Sequence, residues 1–101
     1  MSKYDEVLDD AREELYRQLE KWGVQNHPDG TGMTGDIARA DSARYLADFA
    51  AEKGSLTWRD ILTEEVYEAL AEEDPVRLRE ELIQVAAVAL QWADAIDRRE
   101  H

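Results

Sequence analysis

Residues 57–92 contain two helical apolar patterns, and each pattern places acidic side chains on a face that should be buried. Asp74-Pro75 separates the two patterns, which repeat at about 100° per residue. Glu65 falls near the middle of the first apolar face, and Glu81 lies at the margin of the second. A buried carboxylate is costly without a cationic partner, so we expect two adjacent helices that share a cation, most simply a divalent metal ion. The two stripes are Trp58, Ile61, Leu62 and Ala69, then Leu78, Leu82, Val85, Val88, Ala89, Trp92 and Ile96.

The composition restricts both the size of the fold and its partners. The 101 residues suit one domain with a thin core. Twelve basic against 24 acidic residues give a net charge of -12, which disfavours nucleic-acid polymers and anionic membranes as partners. The chain has no cysteine, so it has neither disulfides nor thiolate metal sites. The N-terminal MSKYDEVLDD does not resemble a signal peptide, and no apolar run suits a membrane span, so we expect a cytoplasmic protein.

Start and stop signals divide the chain into four helices and predict an all-α fold. Gly23 and Gly54 are the predicted stops of the first and second helices. The start signals are Ser2 with Asp5, Asp36, Thr57 with Asp60, and Asp74 with Pro75. The predicted helices span about residues 3–22, 37–53, 58–73 and 75–98, with a loop at 23–36. Between Leu82 and Leu90 the last helix is apolar nearly all round, which predicts a homodimer or higher oligomer formed through it.

The acidic residues of the last two helices have the spacing of a metal site. Glu65 and Glu68 are separated by one helical turn, and so are Glu81 and Gln84. Antiparallel packing would therefore bring four oxygen-bearing side chains together. Oxygen ligands without histidine or cysteine suit Mg²⁺, or Mn²⁺. The spacing alone also fits a solvated charged face, and the position of Glu65 within the apolar pattern favours the metal site.

These motifs resemble the signature of the MazG-like all-α nucleoside triphosphate pyrophosphohydrolases, which is EExxE on one helix and ExxD on a following helix. Here EEVYE stands at residues 64–68 and ELIQ at residues 81–84, with Gln84 where the family has Asp. The segment RQLEKWGVQNHPDG, residues 17–30, also looks like the first helix and loop of small phage and actinobacterial members. The resemblance implies a four-helix MazG-like bundle that works as a homodimer or homotetramer. It also implies Mg²⁺-dependent hydrolysis of an NTP or dNTP to the monophosphate and pyrophosphate.

By the same resemblance, Glu65, Glu68 and Glu81 would bind the metal, and Gln84 would offer a neutral amide oxygen at the fourth position. The loss of one negative charge at Gln84 would weaken metal binding. Glu64, the first residue of the motif, would orient or activate the attacking water.

The first helix and the following loop supply candidate nucleotide contacts. Trp22 suits base stacking, and Gln18, Lys21 and His27 suit base or phosphate contacts. Two alternatives stay open: Trp22 as a core residue that ends the helix, and His27 as part of a tight HPDG turn. Basic residues that could hold a polyphosphate are Lys21, Arg39, Arg44 and Lys53.

Two other interpretations of the whole chain remain. The net charge and small size also fit an acidic helical interaction or inhibitor module. Alternatively, Gln84 could make the chain a nucleotide-binding protein without turnover. An ATPase of the Walker type is not expected, because the glycine-rich segment GTGMTG lacks the phosphate-binding lysine.

Overall fold

The computed structural model describes residues 3–100, and all regular structure in that range is helical. The helices are α1 (Asp5–Trp22), α2 (Asp36–Glu52), α3 (Trp58–Ala71) and α4 (Pro75–Glu100). The predicted all-α class and the four helices are confirmed. The MazG-like bundle stays a prediction. Within residues 3–100, no helix combines the length and the apolarity that crossing a bilayer requires.

The starts of α3 and α4 follow the predicted capping chemistry. Thr57 Oγ1 accepts a hydrogen bond from the Asp60 backbone N–H at 3.2 Å, and Asp60 Oδ2 accepts one from the Thr57 N–H at 3.0 Å. This reciprocal capping box satisfies two helix-end donors. At α4, Asp74 Oδ2 accepts a hydrogen bond from the Arg77 N–H at 3.0 Å. Both predicted helix starts are therefore confirmed.

Other helix ends differ slightly from the predictions. Asp36 is the first residue of α2 instead of its N-cap, which is Gly35 with a φ of 89°. The Asp36 carboxylate instead accepts a hydrogen bond from the Met33 N–H at 2.7 Å, which closes the preceding turn. α3 ends at Ala71, two residues early, because Glu72 is already extended with a ψ of 120°. The predicted cap at Ser2 lies outside the described residues.

The chain forms two compact units. The single domain that we expected from the sequence stays a prediction. Gly30–Ala89 forms the central unit; the described residues up to Asp29 and from Leu90 onward form the terminal unit. α4 contributes to both. All three carboxylates of the expected metal site belong to the central unit.

α2 packs against α3 in the central unit. The buried side chains of α2 are three alanines, Ala40, Ala43 and Ala47, whose small size allows a close approach between the helices. The Gly32 N–H donates a hydrogen bond to the Leu70 carbonyl at 2.8 Å, so the segment before α2 is tied to the end of α3. The two helices are therefore antiparallel, as their short connection also requires.

The terminal unit buries few side chains. Val7 of α1 is buried, and so is Asp94 of α4, whose Oδ2 accepts a hydrogen bond from Arg98 Nε at 2.8 Å. Several large apolar side chains of α1 are instead exposed. Its exposed large residues are Leu8, Leu15, Tyr16, Leu19 and Trp22.

Candidate metal centre

Three carboxylates from two helices converge in the central unit. Glu65 and Glu68 lie on α3, and Glu81 lies on α4. The connection between these helices is short, so the chain reverses direction, and Glu65 and Glu81 lie equally far from it on either side. One carboxylate oxygen of each residue lies within 4.8 Å of those of the other two. The structure therefore brings together three of the four predicted ligands.

Two of these carboxylates have an oxygen without a partner. Glu65 Oε2 and Glu81 Oε2 are buried and accept no hydrogen bond from the residues that the structure describes. Among the described residues, no basic nitrogen pairs with either carboxylate. Since a buried acceptor normally has a donor or a cation beside it, this arrangement suits a ligand that supplies positive charge.

The pKa values of the cluster also favour a ligand that supplies positive charge. Burial is the main cause that raises the pKa of Glu65, and the charges of Glu68 and Glu81 raise it further. Burial also raises the pKa of Glu81, followed by the charge of Glu68. The ionised forms of both groups are thus disfavoured in the metal-free protein. A cation between them would remove this penalty.

Arg44 of α2 compensates part of the acidic charge. Its Nη2 donates a hydrogen bond to Glu68 Oε1 at 3.3 Å, and its Nε lies 4.0 Å from Glu64 Oε1. Its Nη1 is 3.4 Å from Asp41 Oδ1. Glu64, the candidate catalytic residue, is half-buried; burial and the charge of Glu68 raise its pKa, while Arg44 opposes that rise. Arg44 therefore pairs with Glu68 but leaves Glu65 without a cation.

A cleft of about 290 Å³ opens beside the cluster. Glu68 and Glu81 line it together with Arg44, which is the one basic residue among its described lining residues. Glu72 also lines it, although its Oε2 accepts a hydrogen bond from the Asp74 N–H at 3.1 Å. The cleft thus offers carboxylates for a cation and one guanidinium for an anion.

The fourth predicted ligand, Gln84, is exposed on α4, one turn after Glu81. Its amide oxygen would be a neutral ligand, so the three glutamates would carry the negative charge of the candidate site. The participation of Gln84 stays a prediction.

The predicted nucleotide contacts belong to the terminal unit. Gln18 Nε2 donates a hydrogen bond to Glu14 Oε2 at 3.0 Å. Lys21 Nζ lies 4.8 Å from the centroid of the Trp22 ring, which is 61% exposed, so Trp22 is not a core residue in this structure. His27 Nε2 lies 3.0 Å from the side-chain oxygen of Gln25. Their role in nucleotide binding stays a prediction.

The pairing of Arg44 with Glu64 and Glu68 was not predicted from the sequence. A signal for it exists, because Arg44 lies one turn after Ala40 and one turn before Ala47. Arg44 therefore shares the face of α2 that carries its buried alanines. The buried carboxylate of Asp94 was also missed, since nothing in the local sequence marks it.

Comparison of the chain with protein-family models, with curated proteins and with solved structures finds no match. The chemical interpretation therefore depends on the residues of the site. Three carboxylate oxygens without a nitrogen or sulfur ligand suit a hard cation such as Mg²⁺ or Mn²⁺. A guanidinium at the same cleft suits a phosphate group.

Proposed function

We propose that this protein is a Mg²⁺-dependent nucleotide pyrophosphohydrolase that converts an NTP or dNTP to the monophosphate and pyrophosphate. The convergence of Glu65, Glu68 and Glu81, with two buried oxygens left without partners, carries the proposal. The resemblance of EEVYE and ELIQ to the MazG-like signature supports the type of reaction. Mn²⁺ suits the same ligands.

The residues have separate roles in this proposal. Glu65, Glu68 and Glu81 hold the cation, and the amide oxygen of Gln84 completes the set. When bound, Mg²⁺ polarises a phosphoryl oxygen and offsets the charge that develops during phosphoryl transfer. Glu64, half-buried next to Glu65 on α3, would accept a proton from the water that attacks the phosphorus and displaces pyrophosphate.

The nucleotide itself needs further contacts. We assign base stacking to the exposed ring of Trp22. Gln18, Lys21 and His27 supply polar contacts to the base or the phosphates.

The working form in this proposal is a homo-oligomer. Leu82 and Ile83 of α4 are 52% and 56% exposed in the single chain, and several large apolar side chains of α1 are exposed as well. Apolar surface of this kind favours association with another chain. The surplus of acidic residues makes a second copy repel at long range, so salt should strengthen the assembly.

Pyrophosphate release from a panel of NTPs and dNTPs, with Mg²⁺ or Mn²⁺, tests the proposed activity. We expect release from at least one nucleotide, and its loss in Glu65→Gln, which keeps the side-chain shape but removes the charge. Glu13→Gln removes the same charge from an exposed site on α1 and should retain the wild-type rate. No release from any nucleotide, in a protein that still binds Mg²⁺, would refute the hydrolase activity.

Gln84 favours a second candidate, a nucleotide-binding protein without turnover. A neutral residue at this position weakens the hold on the cation relative to an aspartate. The variant Gln84→Asp separates the two functions. Turnover by the wild-type chain supports the hydrolase, whereas turnover by Gln84→Asp alone supports the binding protein.

A further inference from the structure

Glu68 takes part in two arrangements at once. It supplies an oxygen to the group of three carboxylates, and its Oε1 also accepts the hydrogen bond from Arg44 at 3.3 Å. A divalent cation and the Arg44 guanidinium would therefore share one carboxylate. Since like charges repel at this range, occupation of the three glutamates weakens the hold of Glu68 on Arg44.

Arg44 is free to move when this happens. Its side chain is 51% exposed, and its three acidic neighbours, Asp41, Glu64 and Glu68, lie 3.3–4.0 Å away, longer than the best charge-assisted hydrogen bonds. The pairs are thus individually weak. A long, half-exposed side chain can exchange one oxygen partner for another at little cost.

Among the described lining residues of the cleft, Arg44 is the one side chain that could pair with an anionic ligand. It is the one basic residue among them, and the charged side chains around it are acidic. A phosphate group that enters this negative field needs positive charge from the bound metal and from a donor that can reach it. The planar guanidinium donates two parallel hydrogen bonds to phosphate oxygens.

We infer that Arg44 is a phosphate-binding residue that exchanges partners: it pairs with Glu68 in the ligand-free protein and turns to a phosphate oxygen once a divalent cation occupies the three glutamates. This inference rests on the proposed function, because it needs the metal and a phosphate ligand. It makes Arg44 the link between the two binding events. Such a link is reciprocal, so metal and phosphate should strengthen each other's binding.

Isothermal titration of Arg44→Gln with two probes, Mg²⁺ alone and inorganic pyrophosphate in saturating Mg²⁺, tests the exchange. Removal of the competing positive charge should tighten Mg²⁺ binding about threefold to tenfold. Loss of the charged donor should weaken pyrophosphate binding about tenfold or more. The two affinities thus move in opposite directions, which a purely structural role would not produce.

Two further variants make the result specific. Arg12→Gln removes the same charge from an exposed position of α1, where Arg12 pairs with Asp9 at 3.3 Å, so both affinities should stay within about twofold of wild type. Arg44→Lys keeps the charge without the planar donor pair. It should leave Mg²⁺ affinity unchanged and weaken pyrophosphate binding, which also covers the case that Arg44→Gln does not fold.

The possible failures are distinguishable. If the wild-type chain does not bind Mg²⁺, both the proposed function and this inference are wrong. If it binds Mg²⁺ and pyrophosphate, but Arg44→Gln leaves pyrophosphate affinity unchanged or weakens both affinities together, only the role of Arg44 is wrong.

Discussion

At the scale of single residues, Glu65 and Glu81 each place a carboxylate where the described part of the chain offers no cationic partner. Each has a buried oxygen without a hydrogen bond, and burial raises the pKa of both. A pair of this kind destabilises the ligand-free fold. Residues that lower the stability of the fold in this way are typical of ligand-binding sites.

The variant Glu65→Gln should therefore stabilise the metal-free protein. The amide fills the same space without the charge, so we expect a gain of about 0.5 kcal/mol, or a rise of about 2–4 °C in Tm. Thermal unfolding in the presence of a chelator measures it. Glu13→Gln should leave Tm almost unchanged, and a fall in Tm of Glu65→Gln would show that the carboxylate is already satisfied.

The raised pKa values also predict how stability depends on pH. The pKa values of Glu64, Glu65 and Glu81 lie above 4.5 in the folded protein. The folded state then binds more protons than the unfolded state in that range, so these groups make the metal-free protein less stable as pH rises above 4.5. The groups are protonated and cause no such penalty below that pH, and the loss of stability is complete once each raised pKa is passed.

Unfolding by urea between pH 4 and 7, without metal, measures this dependence. The decline that these groups cause should be smaller in the double variant Glu65→Gln/Glu81→Gln. An identical pH profile in the wild type and the double variant would show that the two pKa values are not raised.

The residues of the candidate site were predictable to different degrees. The convergence of Glu65, Glu68 and Glu81 follows from their helical spacing and from a short connection between two helices. The contact of Arg44 with Glu68 depends on how α2 is rotated against α3. That rotation is set by tertiary packing, so local pattern alone did not predict the contact.

At the scale of elements, the helix starts with clear capping chemistry were predicted correctly. Thr57 with Asp60 and Asp74 with Pro75 each combine a capping oxygen with a preference for the first turn. Asp36 was misplaced by one residue because an aspartate there can close the preceding turn as readily as cap the helix. Its carboxylate bonds to Met33 and leaves Gly35 as the N-cap.

The segment before α2 supplies an element-scale prediction through Gly32. Gly32 has a φ of 75°, and a Cβ there would overlap the side chain of Glu73. Gly30 has a similar φ of 70° but open space around it. Gly30→Ala should lower the free energy of unfolding by about 1 kcal/mol through backbone strain alone. Gly32→Ala should lower it more, because the added Cβ displaces Glu73 and distorts the hydrogen bond from residue 32 to the Leu70 carbonyl.

Paired urea-unfolding curves of the two variants measure the difference. Equal losses of stability would show that the segment does not approach the end of α3 closely. A larger loss in Gly32→Ala supports the tie between Gly32 and Leu70 that makes α2 and α3 antiparallel.

At the scale of the whole molecule, the main feature is the apolar surface that the single chain leaves exposed to solvent. The all-round apolar pattern from Leu82 to Leu90 was apparent in the sequence, and Leu82 and Ile83 are indeed exposed in the single chain. The division into two units was not predicted, because contact between distant segments leaves no local pattern. We propose that a second copy of the chain buries this apolar surface.

Ile83→Glu should therefore disrupt the proposed oligomer. A charge placed in an apolar interface is costly, so sedimentation at micromolar concentration should show a shift toward monomer. Val76→Glu adds the same charge to another exposed aliphatic position of α4 and should not change the mass. A wild-type chain that is monomeric under these conditions would contradict the prediction.

The most direct test of the shared cation is thermal unfolding with increasing Mg²⁺, at an ionic strength held constant with NaCl. At ten times Kd, bound Mg²⁺ should stabilise the wild-type chain by about 1.4 kcal/mol, or about 5–10 °C in Tm. Glu13→Gln should show the same rise, and Glu65→Gln should show almost none. An equal rise in Glu65→Gln, or no rise in the wild type, would contradict a metal site formed by Glu65, Glu68 and Glu81.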